Sequence, residues 1–194
     1  MKTFQNVVAA STILAMSSVP VMAECISAFE MLEKQGGAAK LGGFSVSLEN
    51  APVFVPVSGS SRPQEQFNFV KPHEGSPCHG TEQYIWLSDA TVYIVIQGDD
   101  DGANRVNVKY CDMGGFVNAS ANQSDPSSYI GRNLGGVPET LPNNDGVPVA
   151  VKADERQTRV GQITGEIVFE PTDDPLTFVR VGGEEFLITE ICVE

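Results

Sequence analysis

The sequence predicts a mostly β protein, either an antiparallel β-sandwich or a closed soluble β-barrel, with one N-terminal helix. Three observations support this class. Beyond about residue 40, apolar and polar residues alternate in many short segments, which is the period of a half-buried strand. Turn residues such as Gly, Asn and Pro separate these segments. About nine strands at such short spacing are typical of a sandwich or a barrel, and one segment alone has helical periodicity.

Residues 1–23 have the organisation of a cleavable signal peptide. Lys2 is the only charged residue among them, and an apolar stretch from Val7 to Met16 follows it. That stretch is too short to cross a bilayer, which takes about 20 residues. The tripeptide Val21-Met22-Ala23 then suits a signal peptidase, so we expect cleavage between Ala23 and Glu24.

Two alternatives to cleavage are an uncleaved anchor helix and a lipid anchor on Cys25. Pro20 interrupts the first, and Ala23-Glu24 before the cysteine does not match the small residues of a lipobox. The prediction is an extracytoplasmic protein, periplasmic or secreted, without a transmembrane segment after cleavage.

Residues 24–194 have the length of one domain, and the domain is strongly acidic. Without Lys2 the chain has 11 basic and 25 acidic residues, a net charge of −14 (11 − 25). This charge repels nucleic acid and anionic membrane surfaces. The expected partner is therefore an unidentified protein or small-molecule ligand, and no nucleic acid.

Four cysteines, Cys25, Cys78, Cys111 and Cys192, predict two disulfides in an exported chain. None has the spacing of a zinc site or an attached haem, so no metal and no cofactor are expected. We favour Cys25–Cys78 with Cys111–Cys192. The alternative is Cys25–Cys192 with Cys78–Cys111, which a predicted meander over 82–111 disfavours because it separates the two strand ends by about 20 Å.

The first elements of the domain are a helix and two strands. Ile26, Phe29 and Leu32 form one apolar face, which predicts a helix over Glu24–Gln35 that ends at Gly36-Gly37. Phe44–Leu48 alternates as a half-buried strand. Val53–Val57 follows Pro52 and contains Pro56, which places it at a sheet edge.

Several strands follow, and short links predict how they pair. Phe67 and Phe69 share one face of a strand. Tyr84–Leu87 and Val92–Ile96 are nearly continuously apolar, and the short link Ser88-Asp89-Ala90 predicts a hairpin. With Val106–Tyr110 they form the predicted three-stranded meander.

The segment at about 112–159 is rich in Gly, Asn, Ser and Pro, which predicts a long irregular excursion with one short strand at Val147–Val151. Gly161, Ile163, Gly165, Ile167 and Phe169 then share one strand face. Leu176–Val181 and Phe186–Cys192 are predicted to form a final hairpin around Gly182-Gly183.

Three groups of residues are candidate metal sites. His73, Glu74 and His79 could bind a transition metal, but two surface loop histidines are the favoured interpretation because the spacing matches no known site. Asp99-Asp100-Asp101-Gly102 has consecutive acids where a calcium loop has alternating ones, so a solvated turn is favoured. Asp173-Asp174 and Glu184-Glu185 are similar acidic turns.

No residue pattern marks a catalytic site. The chain contains no G-x-S-x-G, S-x-x-K or H-E-x-x-H motif. Two glycosylation acceptor patterns begin at Asn118 and Asn122, and about one is expected by chance. The sequence favours a non-enzymatic binding or interaction protein. A carboxylate-dependent hydrolase and a structural subunit of a surface assembly are the alternatives.

Overall fold

The structure is a computed structural model. The residues that it describes are 23–51, 53–57, 60–64, 72–75, 83–87, 90–98, 102–113, 117–122, 139–142, 148–156, 162–172, 174–183 and 185–194. The predicted signal peptide, apart from Ala23, lies outside them, as do Phe67, Phe69, Cys78 and His79.

The described strands form two antiparallel sheets and one separate hairpin. Sheet A has the order β11-β12-β13-β9-β15-β7-β6, and β1 also pairs with β15. Its strands are β1 (Glu24–Ser27), β6 (Pro72–Glu74), β7 (Gln83–Leu87), β9 (Val106–Asp112), β11 (Glu139–Pro142), β12 (Pro148–Arg156), β13 (Ile163–Phe169) and β15 (Phe186–Val193).

Sheet B has the order β10-β14-β8-β3-β2, and β4 pairs only with β5 among the described strands. The strands of sheet B are β2 (Ala38–Leu41), β3 (Phe44–Ala51), β8 (Ala90–Gln97), β10 (Val117–Ala121) and β14 (Phe178–Gly183), and those of the hairpin are β4 (Val53–Val57) and β5 (Ser60–Gln64).

The hydrophobic core lies between the two sheets, which makes the fold sandwich-like. Val108 and Ile167 of sheet A and Ile94 and Val181 of sheet B are all fully buried in one cluster. Each lies on a strand whose alternate residues face away from that cluster, as expected for two packed sheets. Of the two architectures that the sequence predicts, the sandwich is therefore the one observed.

The helix is shorter than the sequence predicts, because its first turn is a strand. Helix α1 spans Ala28–Gln35, and β1 occupies Glu24–Ser27. Ser27 caps the helix in an extended conformation, and its hydroxyl accepts from the Glu30 amide. Gly36 ends it in the left-handed conformation, as predicted. Within the described residues, no helix has the length and apolar character needed to cross a membrane.

The predicted meander and the predicted C-terminal hairpin are both wrong in their pairing. Strand β8 belongs to sheet B, whereas β7 and β9 belong to sheet A and are separated by β15. Likewise β14 lies in sheet B and β15 in sheet A. Each short link passes from one sheet to the other, so the proximity of two strands in the sequence did not indicate a hairpin.

The predicted excursion at about 112–159 contains more regular structure than expected. Strands β10, β11 and β12 all lie within it, and nine-residue β12 pairs with β13. Strands β10 and β11 lie at sheet edges. Their polar composition therefore did not indicate strands in the sequence. The alternation predicted for β13 is confirmed, since Ile163, Ile167 and Phe169 are buried in the core.

The favoured disulfide connectivity is wrong, because Cys25 is bonded to Cys192. Strand β1 pairs with β15 and places these two cysteines directly opposite each other, with 4.0 Å between their Cα atoms. The argument against Cys78–Cys111 assumed that β8 lies between β7 and β9, whereas β15 does. Cys111 is disulfide-bonded, and we predict Cys78 as its partner because no other cysteine is left.

The turn that precedes β14 is fastened to its surroundings. Ala103 and Leu176 exchange two backbone hydrogen bonds, of 2.9 and 2.7 Å. The Asn122 side chain donates to the Pro175 carbonyl and accepts from the Thr177 amide, each at 2.9 Å. These contacts fix the entry of β14 into sheet B.

Candidate functional site

The face of sheet B that points away from the core carries an unexpected set of buried polar residues. In β14, Val179 and Val181 belong to the core cluster, so alternation directs Arg180 and Gly182 to the opposite face. Yet Arg180 has no exposed surface at all. A charged side chain on the outer side of a sheet is normally solvated, so another layer must cover it.

Two hydroxyl residues lie beside this arginine. Ser120 of β10 is directly opposite Arg180, and Thr91 of β8 is directly opposite Gly182, two residues further along β14. Ser120 has no exposed surface and Thr91 has 3%. We refer to Thr91, Ser120 and Arg180 as the Arg180 cluster.

Strand β4 of the β4–β5 hairpin contacts sheet B, as β12 of sheet A does at β10. Strand β4 begins two residues after β3 ends, and it contacts β14 without pairing with it. Among the described strands, β4 therefore does not extend sheet B. Burial of Arg180 is consistent with a third layer at this place.

The two hydroxyls of the Arg180 cluster make no hydrogen bond. Both Thr91 Oγ1 and Ser120 Oγ are buried without a partner. A buried polar group in this state costs about 1–3 kcal/mol. Native proteins contain few such groups, and each calls for an explanation. A ligand that supplies an acceptor is one.

An aromatic pair separates the cluster from an open groove on the same face. Tyr93 pairs directly with Arg180, and its ring lies 5.5 Å from that of Phe178 in an edge-to-face arrangement. Both aromatic side chains are half-buried. They therefore present apolar surface between the buried cluster and the solvent.

The groove has a volume of about 610 Å³ and lies over β2, β3 and the end of β8. Its size falls within the range of small-molecule pockets, although it is more polar than most. Small outward residues of β2 and β3 create the depression, with longer polar side chains around it. The lining residues are Gln35, Ala38, Ala39, Lys40, Ser45, Val46, Ser47 and Gln97.

The histidine that the structure describes belongs to an aromatic cluster on sheet A. His73 lies on strand β6, whereas the sequence predicted that it lies in a loop. Its ring stacks on Tyr84 at 5.9 Å and meets Trp86 edge-on at 5.5 Å. Glu74 is exposed and accepts from Gln83. His79 lies outside the described residues, so the proposed grouping of the three is not tested.

The acidic turns contribute little to any described cluster. Asp99 to Asp101, Asp173 and Glu184 lie outside the described residues, and Asp174 and Glu185 are exposed. Within the described residues, the one group with metal-ligand geometry is Cys25, Glu190 and Cys192. Its sulfur atoms are joined in the disulfide, so they cannot act as thiolate ligands.

The asparagine of one glycosylation pattern already makes hydrogen bonds within the fold. The Asn122 side chain holds the turn before β14 through both its amide nitrogen and its oxygen. A glycan on that nitrogen would replace a hydrogen of the bonded amide. We therefore expect Asn122 to stay unmodified in the folded chain, and the side chain of Asn118 is not described.

Sequence reasoning missed the Arg180 cluster because its strand alternation looks ordinary. Thr91 and Arg180 occupy outward positions, which on a two-layer sandwich are solvated. The sequence predicts a turn at Gly182, whereas this residue lies within β14. A glycine inside a strand often marks a close approach by a ligand or another chain segment, and this was the available signal.

The class of protein that these features define is a disulfide-containing, sandwich-like β domain with a polar site on one outer face. No protein-family model matches the chain, and neither curated proteins nor solved structures give a match.

Proposed function

We propose that this chain is an exported, non-enzymatic binding protein whose ligand lies on the outer face of sheet B. The observation that carries the proposal is the pair of buried, unpartnered hydroxyls beside Arg180. The groove over β2 and β3 lies on the same face and supplies an opening for a small molecule. Export is supported by the signal-like residues 1–23 and by the disulfide.

A carboxylate-dependent hydrolase has less support at this site. Such chemistry needs two carboxyl groups that converge on the substrate. None of the eight residues lining the groove is acidic, and the Arg180 cluster contains none. The groove offers hydroxyls, amides and one ammonium group, which bind and orient a ligand.

Assembly by strand addition also has less support. The strands at the ends of the two sheets are short, with three residues in β6, four in β2, four in β11 and five in β10. Strand β2 also carries Lys40. Short edge strands and lysine are features that discourage edge-to-edge pairing.

The proposal is tested by a thermal-shift screen of a small-molecule panel against the full exported chain. Ser47→Phe fills the groove with an aromatic ring on the outer face of β3. Thr164→Phe is the matched control, because Thr164 is a half-buried outward residue of sheet A. We expect ligands that stabilise the wild type and the control but not Ser47→Phe.

Two results would contradict the proposal. In one, stabilising ligands act equally on Ser47→Phe, which would place them elsewhere. In the other, mass spectrometry of the recovered ligand shows chemical conversion, which would favour the hydrolase.

A further inference from the structure

We infer that Glu24 is a positioning residue for the groove over β2 and β3, although it does not line the groove. The inference rests on the proposed function, because it takes this groove as the ligand site. It adds that the N-terminal strand of sheet A, through the Glu24 carboxylate, holds the hairpin of sheet B on which the ligand lies.

The β2–β3 hairpin supplies six of the eight residues that line the groove. Its turn is Gly42-Gly43, which the pair Leu41 and Phe44 closes. The next pair along the hairpin is Lys40 and Ser45, and both residues line the groove. One end of the groove therefore lies a single residue pair away from the turn.

The turn has a backbone donor that the hairpin itself does not satisfy. In a two-residue turn the flanking residues bond to each other, which leaves the amides of the central residues free to find other acceptors. Gly42 is the first central residue and has a φ of +57°, which favours glycine. Its amide donates to Glu24 Oε2 at 2.5 Å, and such charge-assisted bonds are stronger than neutral ones.

Glu24 is itself held in place by sheet A. It is the first residue of β1 and pairs with Val193 of β15. The next residue, Cys25, is bonded to Cys192, so the backbone that carries the carboxylate is covalently fixed to β15. Strand β1 also contacts β2. The carboxylate therefore ties the turn of a sheet B hairpin to the disulfide-linked strand pair of sheet A.

The opposite end of the hairpin has an anchor of its own. There the Leu48 amide donates to the Gly37 carbonyl at 2.7 Å. Strand β2 lies at the edge of sheet B and pairs only with β3 among the described strands. Loss of the Glu24 carboxylate should therefore loosen the turn end, which carries Lys40 and Ser45, and leave the Leu48 end in place.

The first test is amide hydrogen exchange, followed by NMR on the ¹⁵N-labelled full exported chain and on its Glu24→Ala variant. Exchange of the Gly42 amide should accelerate at least about threefold, because an exposed hydrogen bond to a charged group is lost. The amides on either side of the turn should also exchange faster, whereas the Leu48 amide should not. Glu49→Ala is the matched control, since it removes an exposed carboxylate of β3 that does not line the groove.

The thermal-shift panel separates positioning of the groove from a contribution to stability alone. Each melting temperature with a compound is compared with that of the same variant without it. For compounds that stabilise the wild type, this rise should be smaller in Glu24→Ala, because binding must also order the loosened turn end. The rise should be unchanged in Glu49→Ala.

Two results would overturn the inference alone. One is unchanged exchange of the turn amides in Glu24→Ala. The other is an equal rise in melting temperature with the panel compounds in Glu24→Ala and the wild type, which would limit the carboxylate to a role in stability. If no panel compound stabilises the wild type, the proposed function fails and the inference falls with it, so the two failures are distinguishable.

Discussion

The polar residues on the outer faces of the two sheets differ in how far they are buried and whether they have partners. On sheet A, Glu166, Lys109 and Glu190 lie side by side on three adjacent strands, so their charges alternate across the sheet. Lys109 and Glu190 form a salt bridge with both side chains partly exposed. On sheet B, the Arg180 cluster is buried and two of its hydroxyls have no partner.

This difference shows that the outward position of a polar residue has two possible meanings. The row on sheet A is a solvated surface whose charges satisfy one another. The cluster on sheet B is enclosed and incompletely satisfied, which is costly for folding alone. This contrast supports the proposal that the binding face lies on sheet B and not on sheet A.

The sheets also differ in how they are held together. No strand of sheet B contains a cysteine, whereas Cys25–Cys192 joins β1 to β15 in sheet A. Replacing both cysteines with alanine should lower the free energy of unfolding by about 4–5 kcal/mol in the chain-entropy account, since the bridge closes a long loop. Denaturant unfolding of the double variant measures this. A loss below about 1 kcal/mol would show that sheet A does not depend on its bridge.

Sheet B depends instead on the turn before β14. In Gly102→Ala, the new Cβ would lie 2.6 Å from the Leu176 carbonyl oxygen, at a φ of +135°. Backbone cannot move aside easily, so we expect a loss of about 3 kcal/mol. Chemical denaturation is the measurement. Gly43→Ala is the control, because a Cβ there meets nothing within 4 Å, and an equal loss in both variants would refute the account.

Asn122 fastens the same turn and sharpens the comparison. Asn122→Ala removes the two 2.9 Å hydrogen bonds to residues 175 and 177 and strains a φ of 49°. The expected loss is about 2 kcal/mol. Asn122→Gly removes only the hydrogen bonds and should lose less. If both variants lose the same amount in denaturant titrations, the backbone conformation contributes nothing.

The smallest effect is expected on the ionic row of sheet A. A double-mutant cycle with Lys109→Met and Glu190→Gln should give a coupling of less than about 1 kcal/mol, because both side chains are partly exposed. The coupling should fall further in 0.5 M salt, where screening is stronger (the Debye length is well under about 8 Å). A coupling of several kcal/mol that salt leaves unchanged would remove the contrast with sheet B.

Local sequence patterns predicted the fold class but not which strands pair with each other. Alternation correctly placed Ile163, Ile167 and Phe169 in the core, and Gly36 ended the helix as expected. Links of two or three residues suggested hairpins, but in this sandwich they cross between sheets. Strands that are neighbours in the sequence therefore lie in different sheets. The disulfide prediction depended on the predicted meander, so it was wrong as well.

The candidate site could not be predicted because its defining property is burial by another layer. The sequence shows that Arg180 points away from the core, and a solvated arginine has the same pattern. Only the burial of Arg180 in the folded chain distinguishes the two. Gly182 was a further indication in the sequence, but together with Gly183 it predicted a turn.

Amide chemical-shift mapping of the ¹⁵N-labelled chain, titrated with a stabilising ligand from the thermal-shift panel, tests the central claim most directly. We predict that the ligand shifts amide signals of sheet B, those around Ser47 and Thr91 among them, and leaves the row of Glu166, Lys109 and Glu190 unchanged. Shifts confined to that row of sheet A, or no saturable shifts with any panel ligand, would contradict the proposal that sheet B carries the binding face.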